Sequence, residues 1–366
     1  MTDAPELLRR GPVPLDPANF TPLRRTPWGG TNIGNLVKAA VVPSARGQII
    51  GEAWEFSCDP DFPSRLQSPA PGEPETLLEL IQRYPEACLS PGLARRSPGG
   101  GGCEILVKLL DAATPLSLQV HPEDFDPALE PGECGKPESW LVLNAEPGAG
   151  IYLGFSRAYK KDELAKILRS GTAGADCLHF EPVKPGDYFE IGPGVPHAIG
   201  GGVTLLEPQR VLYGRSGKTF RMWDWGRRYD ADGLPDPMGK PRQLHLSESL
   251  ALVDPERQHG AAYAQTLRRD ANRFDLAPDV KVYSYPANPY YRTYLVDMQE
   301  GGAMSLDIKD GYGALVMLTG RIVMNGVSLV GGQPAFLPHA AMPLTVACDA
   351  DAKWALVVPA RTNLSF

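Results

Sequence analysis

The chain has 366 residues, enough for two domains or for one large domain with insertions. Its 43% hydrophobic and 22% charged content is ordinary for a globular protein in water. A net charge of −7 excludes a general attraction for nucleic acid or an anionic membrane and leaves room only for a local basic cluster. No apolar run approaches the ~20 residues that span a bilayer, and no basic segment followed by an apolar stretch reads as a secretory signal. The six cysteines, at 58, 88, 103, 134, 177 and 348, are scattered without a CxxC pair. They read as reduced thiols of a cytoplasmic protein, with Cys134 a spectator.

The 39 glycines and 37 prolines are spread among short apolar runs, which suits a mainly β core of many short strands. Residues 1–15, with Pro5, Gly11, Pro12 and Pro14, are expected to form a loose arm. Strand-like runs follow at 36–42 and 52–57. The spacing of Leu77, Leu78, Ile81 and Tyr84 predicts a helix over 75–89. Residues 97–102 (SPGGGG) read as a flexible loop. Strands are predicted over 104–110, 115–121, 139–145 and 151–155, then a short amphipathic helix over 162–169 that Gly171 ends. A second β region runs from Cys177 to Pro208, broken by turns at 184–187 (KPGD) and 192–196 (GPGVP). After His259 the character changes. Short strands at 314–318, 321–324 and 354–358, punctuated by Gly320, Asn325-Gly326 and Gly331-Gly332, predict a smaller β-barrel. The expected division is a catalytic domain over 16–265, with helical segments near 75–90 and 160–170, and a C-terminal β domain over 266–366.

The chemistry begins at Thr-Pro-Leu-Ser-Leu-Gln-Val-His-Pro, residues 114–122. In a strand, residues two apart share a face. Ser117, Gln119 and His121 therefore line one side, and Leu116, Leu118 and Val120 the other. If both faces are buried, the polar side needs something to bind, and Gln119 and His121 offer an oxygen and a nitrogen to one metal ion. The alternative is a solvated polar face. Gly135-Lys136-Pro137-Glu138 presents an ammonium and a carboxylate at the start of a strand, or else an ordinary surface ion pair. In GDYFEIGPGVPH, Gly186 to His197, a strand ends in a Gly/Pro turn that aims one imidazole. That spacing matches the second half of the cupin barrel signature, with Gly192 in its usual proline position and Pro193 beside it. Leu205-Leu206-Glu207-Pro208-Gln209 leads into a basic and aromatic stretch over 213–228, with Arg215, Lys218, Arg221, Arg227 and Arg228 among Trp223 and Trp225. Local positive charge in an acidic protein points to a small anionic ligand such as a phosphate; a solvated loop with aromatic anchors is the competing reading. Gln119, His121, Glu138 and His197 together make an O/N/O/N donor set with one formal negative charge. It suits zinc, with iron, manganese, nickel and cobalt as alternatives. His339, in LPHAAM, sits in surroundings like those of His197 but has no Gln-x-His or carboxylate beside it, so it reads as structural or as a degenerate site.

These segments resemble the type I mannose-6-phosphate isomerases (phosphomannose isomerases), zinc-dependent cupin enzymes, in their short bacterial form. The resemblance rests on Trp28-Gly29-Gly30, Gly51-Glu52-Ala53-Trp54-Glu55, PLSLQVHP at 115–122, GKPES at 135–139, IYLGF at 151–155, HAIGGG at 197–202 and FRMWDWGR at 220–227, all in the family's order. It implies a mainly β fold of cupin (double-stranded β-helix, jelly-roll) barrels with a helical insertion. It also implies one Zn2+ per chain, held by Gln119, His121, Glu138 and His197. Lys136 matches the family's active-site lysine and Arg221 its arginine. Ser117 and Lys108 match positions near the substrate phosphate or cavity wall. The implied reaction interconverts mannose 6-phosphate and fructose 6-phosphate through a cis-enediol. Lys136, its pKa lowered by burial near the cation, and Glu207 are the acid/base candidates, and Arg221 would hold the substrate's charge. The implied enzyme is a cytoplasmic monomer or homodimer that acts on a sugar phosphate, either supplying mannose for GDP-mannose biosynthesis or drawing it into glycolysis. One departure stands out. Relatives carry a Ser-Asp pair before the arginine, whereas the longer connection RVLYGRSGKTFR has Ser216-Gly217. An acidic group is missing there, and Arg215 and Lys218 are expected to strengthen phosphate binding instead. A metal-dependent cupin dioxygenase and a non-catalytic sugar-phosphate-binding protein are the alternatives on the same scaffold.

Overall fold

The computed structural model describes residues 5–96, 103–170 and 174–366. The expected loop at 97–102, the helix stop at Gly171 and residues 1–4 of the expected arm lie outside the described residues. The site is framed by two antiparallel five-stranded sheets. One runs, in spatial order, Phe220–Trp223, Leu118–Val120, His197–Ile199, Gly150–Phe155, Leu178–Pro182. The other runs Glu52–Phe56, Ile105–Ala112, Val203–Arg210, Glu138–Ala145, Tyr188–Ile191. A third, ten-stranded sheet is built from the C-terminal strands and Val13–Pro14.

The second sheet is covered on both faces, and its alternation decides what the site contains. Ile105, Val107, Leu109, Leu141 and Leu206 pack outward with Leu77, Leu80 and Ile81, and with Val316, Phe336 and Val357 of the ten-stranded sheet. Their neighbours one residue along, Leu106, Lys108, Leu110, Trp140, Glu207 and Gln209, point the other way and line a cavity. All eight residues of Ile105–Ala112 and of Val203–Arg210 are buried, so their polar members need partners inside the protein. Outside that face, Lys38 and Glu55 form a fully buried pair, Nζ to Oε2 at 2.6 Å, and Lys38 also donates to the Gly332 carbonyl at 2.7 Å. This pair pins the N-terminal segment to the ten-stranded sheet.

Several expectations are corrected. The described part of the expected arm is ordered: Glu6–Arg10 is a helix with Leu8 buried, and Val13–Pro14 pairs antiparallel with Ala335 and Phe336. Proline is tolerated there because the strand lies at a sheet edge. Residues 36–42 hold no strand. A π-helical turn at Ile33–Val37 and a 3-10 turn at Pro43–Ala45 occupy the region instead, since a short apolar run does not separate a strand from a buried helical turn. The helix over 75–89 is two, Leu77–Arg83 and Pro85–Leu89. Thr76 caps the first by accepting from the Glu79 amide at 3.2 Å, and Pro85, lacking an N–H, starts the second. The strands read at 314–318 and 321–324 are one, Gly313–Met324. Gly320, at φ +75°, makes a bulge in it rather than a turn.

Candidate metal centre and active-site cavity

The two facing sheets deliver the candidate ligands from opposite sides. In the first sheet His197 lies directly across from Gln119, and Gln119 across from Arg221. His121 follows the end of the same strand. In the second sheet Glu138 opens its strand opposite Gln209. The polar face of 117–121 is therefore not solvated: Ser117 and His121 are buried, and Ser117 and Gln119 line the cavity.

His121 Nε2 lies 3.2 Å from Glu138 Oε2, and His197 Nε2 lies 3.3 Å from Glu138 Oε1. The three donor atoms fall within 4.8 Å of one another. His121 Nδ1 is 3.0 Å from the Lys218 carbonyl and His197 Nδ1 is 2.8 Å from the Val195 carbonyl. A carbonyl only accepts, so each Nδ1 carries the proton and each Nε2 presents a bare lone pair. Among the described residues neither Nε2 has a hydrogen-bond partner, although both are buried. Burial holds His121 below its usual range and His197 at about 3, against the pull of Glu138. Burial alone would raise Glu138, but its surroundings, with the Lys136 ammonium beside it, outweigh burial and hold the carboxyl well below its usual range. Two neutral imidazole lone pairs thus face an anionic carboxylate across a buried gap. Such a grouping is repulsive by itself and fits a divalent cation of the zinc class. Gln119 lines the same cavity from the strand position directly across from His197.

The cavity has a volume of about 640 Å³. Lys136, Lys108, Glu207, Arg221 and Ser117, all expected site residues, line it. Lys136 Nζ is 3.5 Å from Glu138 Oε2. At Lys136 burial lowers the pKa, but Glu138, Glu207 and Glu52 together raise it above its usual value, and a cation held by Glu138 would pull it down again. Glu207 accepts from Trp140 Nε1 at 3.0 Å and from Gln209 Nε2 at 2.7 Å, and lies 3.8 Å from Lys108 Nζ. Burial, with the charge of Glu138, pushes its carboxyl up to about 8, so it holds a proton at neutral pH. Arg221 donates from Nε to Ser117 Oγ at 3.3 Å and from Nη1 to the Gln243 carbonyl at 3.1 Å. It makes no ion pair among the described residues, which leaves its charge available to an anion. By contrast, Asp224 neutralises Arg227 and Arg242 at 2.5 and 2.9 Å.

Arg215 and Lys218 do not line the cavity. Ser216–Gly217 pairs in parallel with Glu133–Cys134 and turns the flanking side chains away. Lys218 Nζ binds Glu133 Oε1 at 2.7 Å, while Arg215 donates to the Glu133 carbonyl and lies over the Phe125 ring. Lys218 acts through its backbone, holding His121. At Gly217 a Cβ would stand 2.9 Å from the Cγ and Cδ of Lys136, so the lysine stem fills the space of a side chain there. Sequence reasoning did not assign site roles to Glu52, Trp54 and Arg242, which also line the cavity. Trp54 Nε1 donates to Glu52 Oε2 at 2.9 Å, and Lys108 Nζ sits 4.5 Å from the Trp54 ring centre. The alternation of Glu52 and Trp54 in EAWEF could have shown them on one face; Arg242 lies in a loop that carries no such signal.

No family model matches the chain. Mannose-6-phosphate isomerase ManA of Bacillus subtilis is 33% identical over 244 residues, covering 65% of this chain and 68% of that protein. The crystal structure of the mannose 6-phosphate isomerase from Bacillus subtilis superposes with a TM-score of 0.75 at 23% identity, over 95% of this chain and 99% of that one. A zinc-bound holo mannose 6-phosphate isomerase superposes with a TM-score of 0.66 at 16% identity, over 95% and 99%. The fold is the mainly β, cupin-type fold of these structures. The chain belongs to the mannose-6-phosphate isomerase family.

Proposed function

We propose that this protein is a zinc-dependent isomerase that interconverts mannose 6-phosphate and fructose 6-phosphate. The observation that carries this reading is the pair of bare imidazole nitrogens facing Glu138 at one wall of a cavity that also holds a protonated carboxyl and a guanidinium without an ion pair among the described residues. Its relatives' names supply the substrate, and the zinc-bound relative supplies the metal. His121, Glu138 and His197 would hold the ion, with Gln119 beside them. Zinc, when bound, supplies Lewis-acid polarisation of the sugar's carbonyl and hydroxyl oxygens.

The chain's own residues do the rest. The reaction moves a proton between C1 and C2, so it needs groups that exchange protons on both sides of a cis-enediol. Glu207 arrives carrying a proton at its carboxyl and is the acid. Lys136 Nζ, beside Glu138, is the second exchanging group: its neutral form, which a cation held by Glu138 would favour, takes the proton from one carbon and returns it to the other, while Glu207 gives its proton to the carbonyl oxygen and takes one back from the neighbouring hydroxyl. Arg221, steadied by Ser117, holds the phosphate end, and Lys108 closes the wall between Glu207 and Trp54. Trp54, Trp140 and Trp28 give the cavity its aromatic wall. Among the described residues no helix is long and apolar enough to cross a membrane.

The test is a coupled isomerase assay on purified protein with mannose 6-phosphate, before and after chelation and again after zinc is restored. Activity lost on chelation and regained with zinc is the expected result. Saturable binding of the sugar phosphate with no fructose 6-phosphate formed would support the non-catalytic sugar-phosphate-binding protein instead.

A further inference from the structure

We infer that Gln209 is a positioning residue that ties the metal-facing carboxylate Glu138 to the Glu207 carboxyl; this deepens the proposed function and rests on it. Gln209 is completely buried, on the face of Val203–Arg210 that looks into the cavity, directly across from Glu138 and two residues beyond Glu207. Its Nε2 donates to Glu138 Oε2 at 2.8 Å and to Glu207 Oε2 at 2.7 Å. The 2.8 Å bond is the shortest side-chain contact Glu138 makes, ahead of His121 at 3.2 Å, His197 at 3.3 Å and Lys136 at 3.5 Å.

The orientation of the amide follows from its neighbours. An ionised carboxylate only accepts, so the NH2 end must face Glu138; turning the amide over would set its oxygen against that charge. Both amide hydrogens are used on the two carboxyl groups, and the buried Oε1 has no partner among the described residues. A buried amide that leaves its own carbonyl unsatisfied is holding something else in place. What it holds is the rotamer of Glu138, whose two oxygens must face two different imidazoles. The same NH2 group fixes how far Glu207 stands from the metal site. A carboxylate ligand that loses such a partner can rotate, and ligands lose affinity when their orienting hydrogen bonds are removed.

The experiment compares wild type with Gln209→Met, which keeps the length and removes both donors, and Gln209→Glu, which keeps the shape. Three readouts are needed: zinc affinity by competition with a chromogenic chelator, kcat and KM at saturating zinc, and the melting temperature of the zinc-free protein. The expected result is zinc affinity weakened by about 10–100-fold, with kcat lowered and KM changed by less than about twofold. If Gln209→Met does not fold, Gln209→Glu carries the same expectation. A folded variant that melts lower but keeps wild-type zinc affinity and kcat would reduce Gln209 to a packing role and overturn the inference. A wild-type protein that binds no zinc, or binds it without isomerising, would instead overturn the proposed function beneath it.

Discussion

Replacing Glu207 by glutamine separates a carboxyl that moves a proton from one that only fills a neutral place. Glu207 is pushed up to about 8, so at pH 7 about nine in ten molecules hold the acid protonated. Glutamine mimics that neutral state and keeps the bond from Trp140 Nε1, which reaches Glu207 Oε1 at 3.0 Å. It also turns an NH2 toward Gln209 Nε2, now 2.7 Å from Glu207 Oε2, and so sets donor against donor. The cost of that one lost hydrogen bond is about 1 kcal/mol. Loss of a general acid costs ~10²–10⁴-fold in rate, which is ~3–5 kcal/mol on the barrier. The two effects differ enough in size to be told apart. The assay is kcat against pH with zinc saturating. An acid works while protonated, so wild-type kcat is expected to fall as pH rises through about 8, and Glu207→Gln to be low throughout with that limb gone. A variant within about fivefold of wild type that keeps the alkaline limb would refute Glu207 as the acid.

Lys136→Met should bind zinc normally while kcat drops by ~10²–10⁴-fold; normal turnover would remove Lys136 from the proton-exchange step. Gly217→Asp forces a side chain to within 2.9 Å of the Lys136 stem, so kcat should fall at least about tenfold as the lysine is displaced, and a rise in kcat would show that a carboxylate is accommodated and useful there. Lys38→Met strands the buried Glu55 carboxylate and should cost ~3–5 kcal/mol, lowering the melting temperature by about 4–7 °C in a chain of this length. Lys38→Met combined with Glu55→Leu should recover most of that loss, and an unchanged melting temperature in the single variant would contradict the pair's role.

The metal side of the site was legible because it depends on short-range rules. Strand alternation puts Gln119 in line with His121, and the glycine-proline turn before His197 fixes where its imidazole goes. Glu207 and Gln209 share a face for the same reason. What could not be read depends on pairings between distant segments. Val13–Pro14 is ordered by Ala335 and Phe336, more than three hundred residues away. Lys218 and Arg215 leave the cavity because Ser216–Gly217 pairs with Glu133–Cys134, a contact no local pattern announces. The raised pKa of Lys136 needs carboxylates from three strands, at Glu138, Glu207 and Glu52, whose convergence is a property of the fold. The missing acid at 217 was visible as a letter, but only the structure shows that the Lys136 stem takes its place.

The central claim is that one cation is held between the two sheets by His121, Glu138 and His197. Its most direct test is the zinc content per chain of purified wild type, His121→Ala and His197→Ala, measured by elemental analysis after dialysis against a weak chelator, with circular dichroism confirming that each is folded. Wild type should retain close to one zinc per chain, and each folded variant almost none. A folded His197→Ala that keeps a full equivalent would mean the ion is held elsewhere, and the site described here would not be the metal centre.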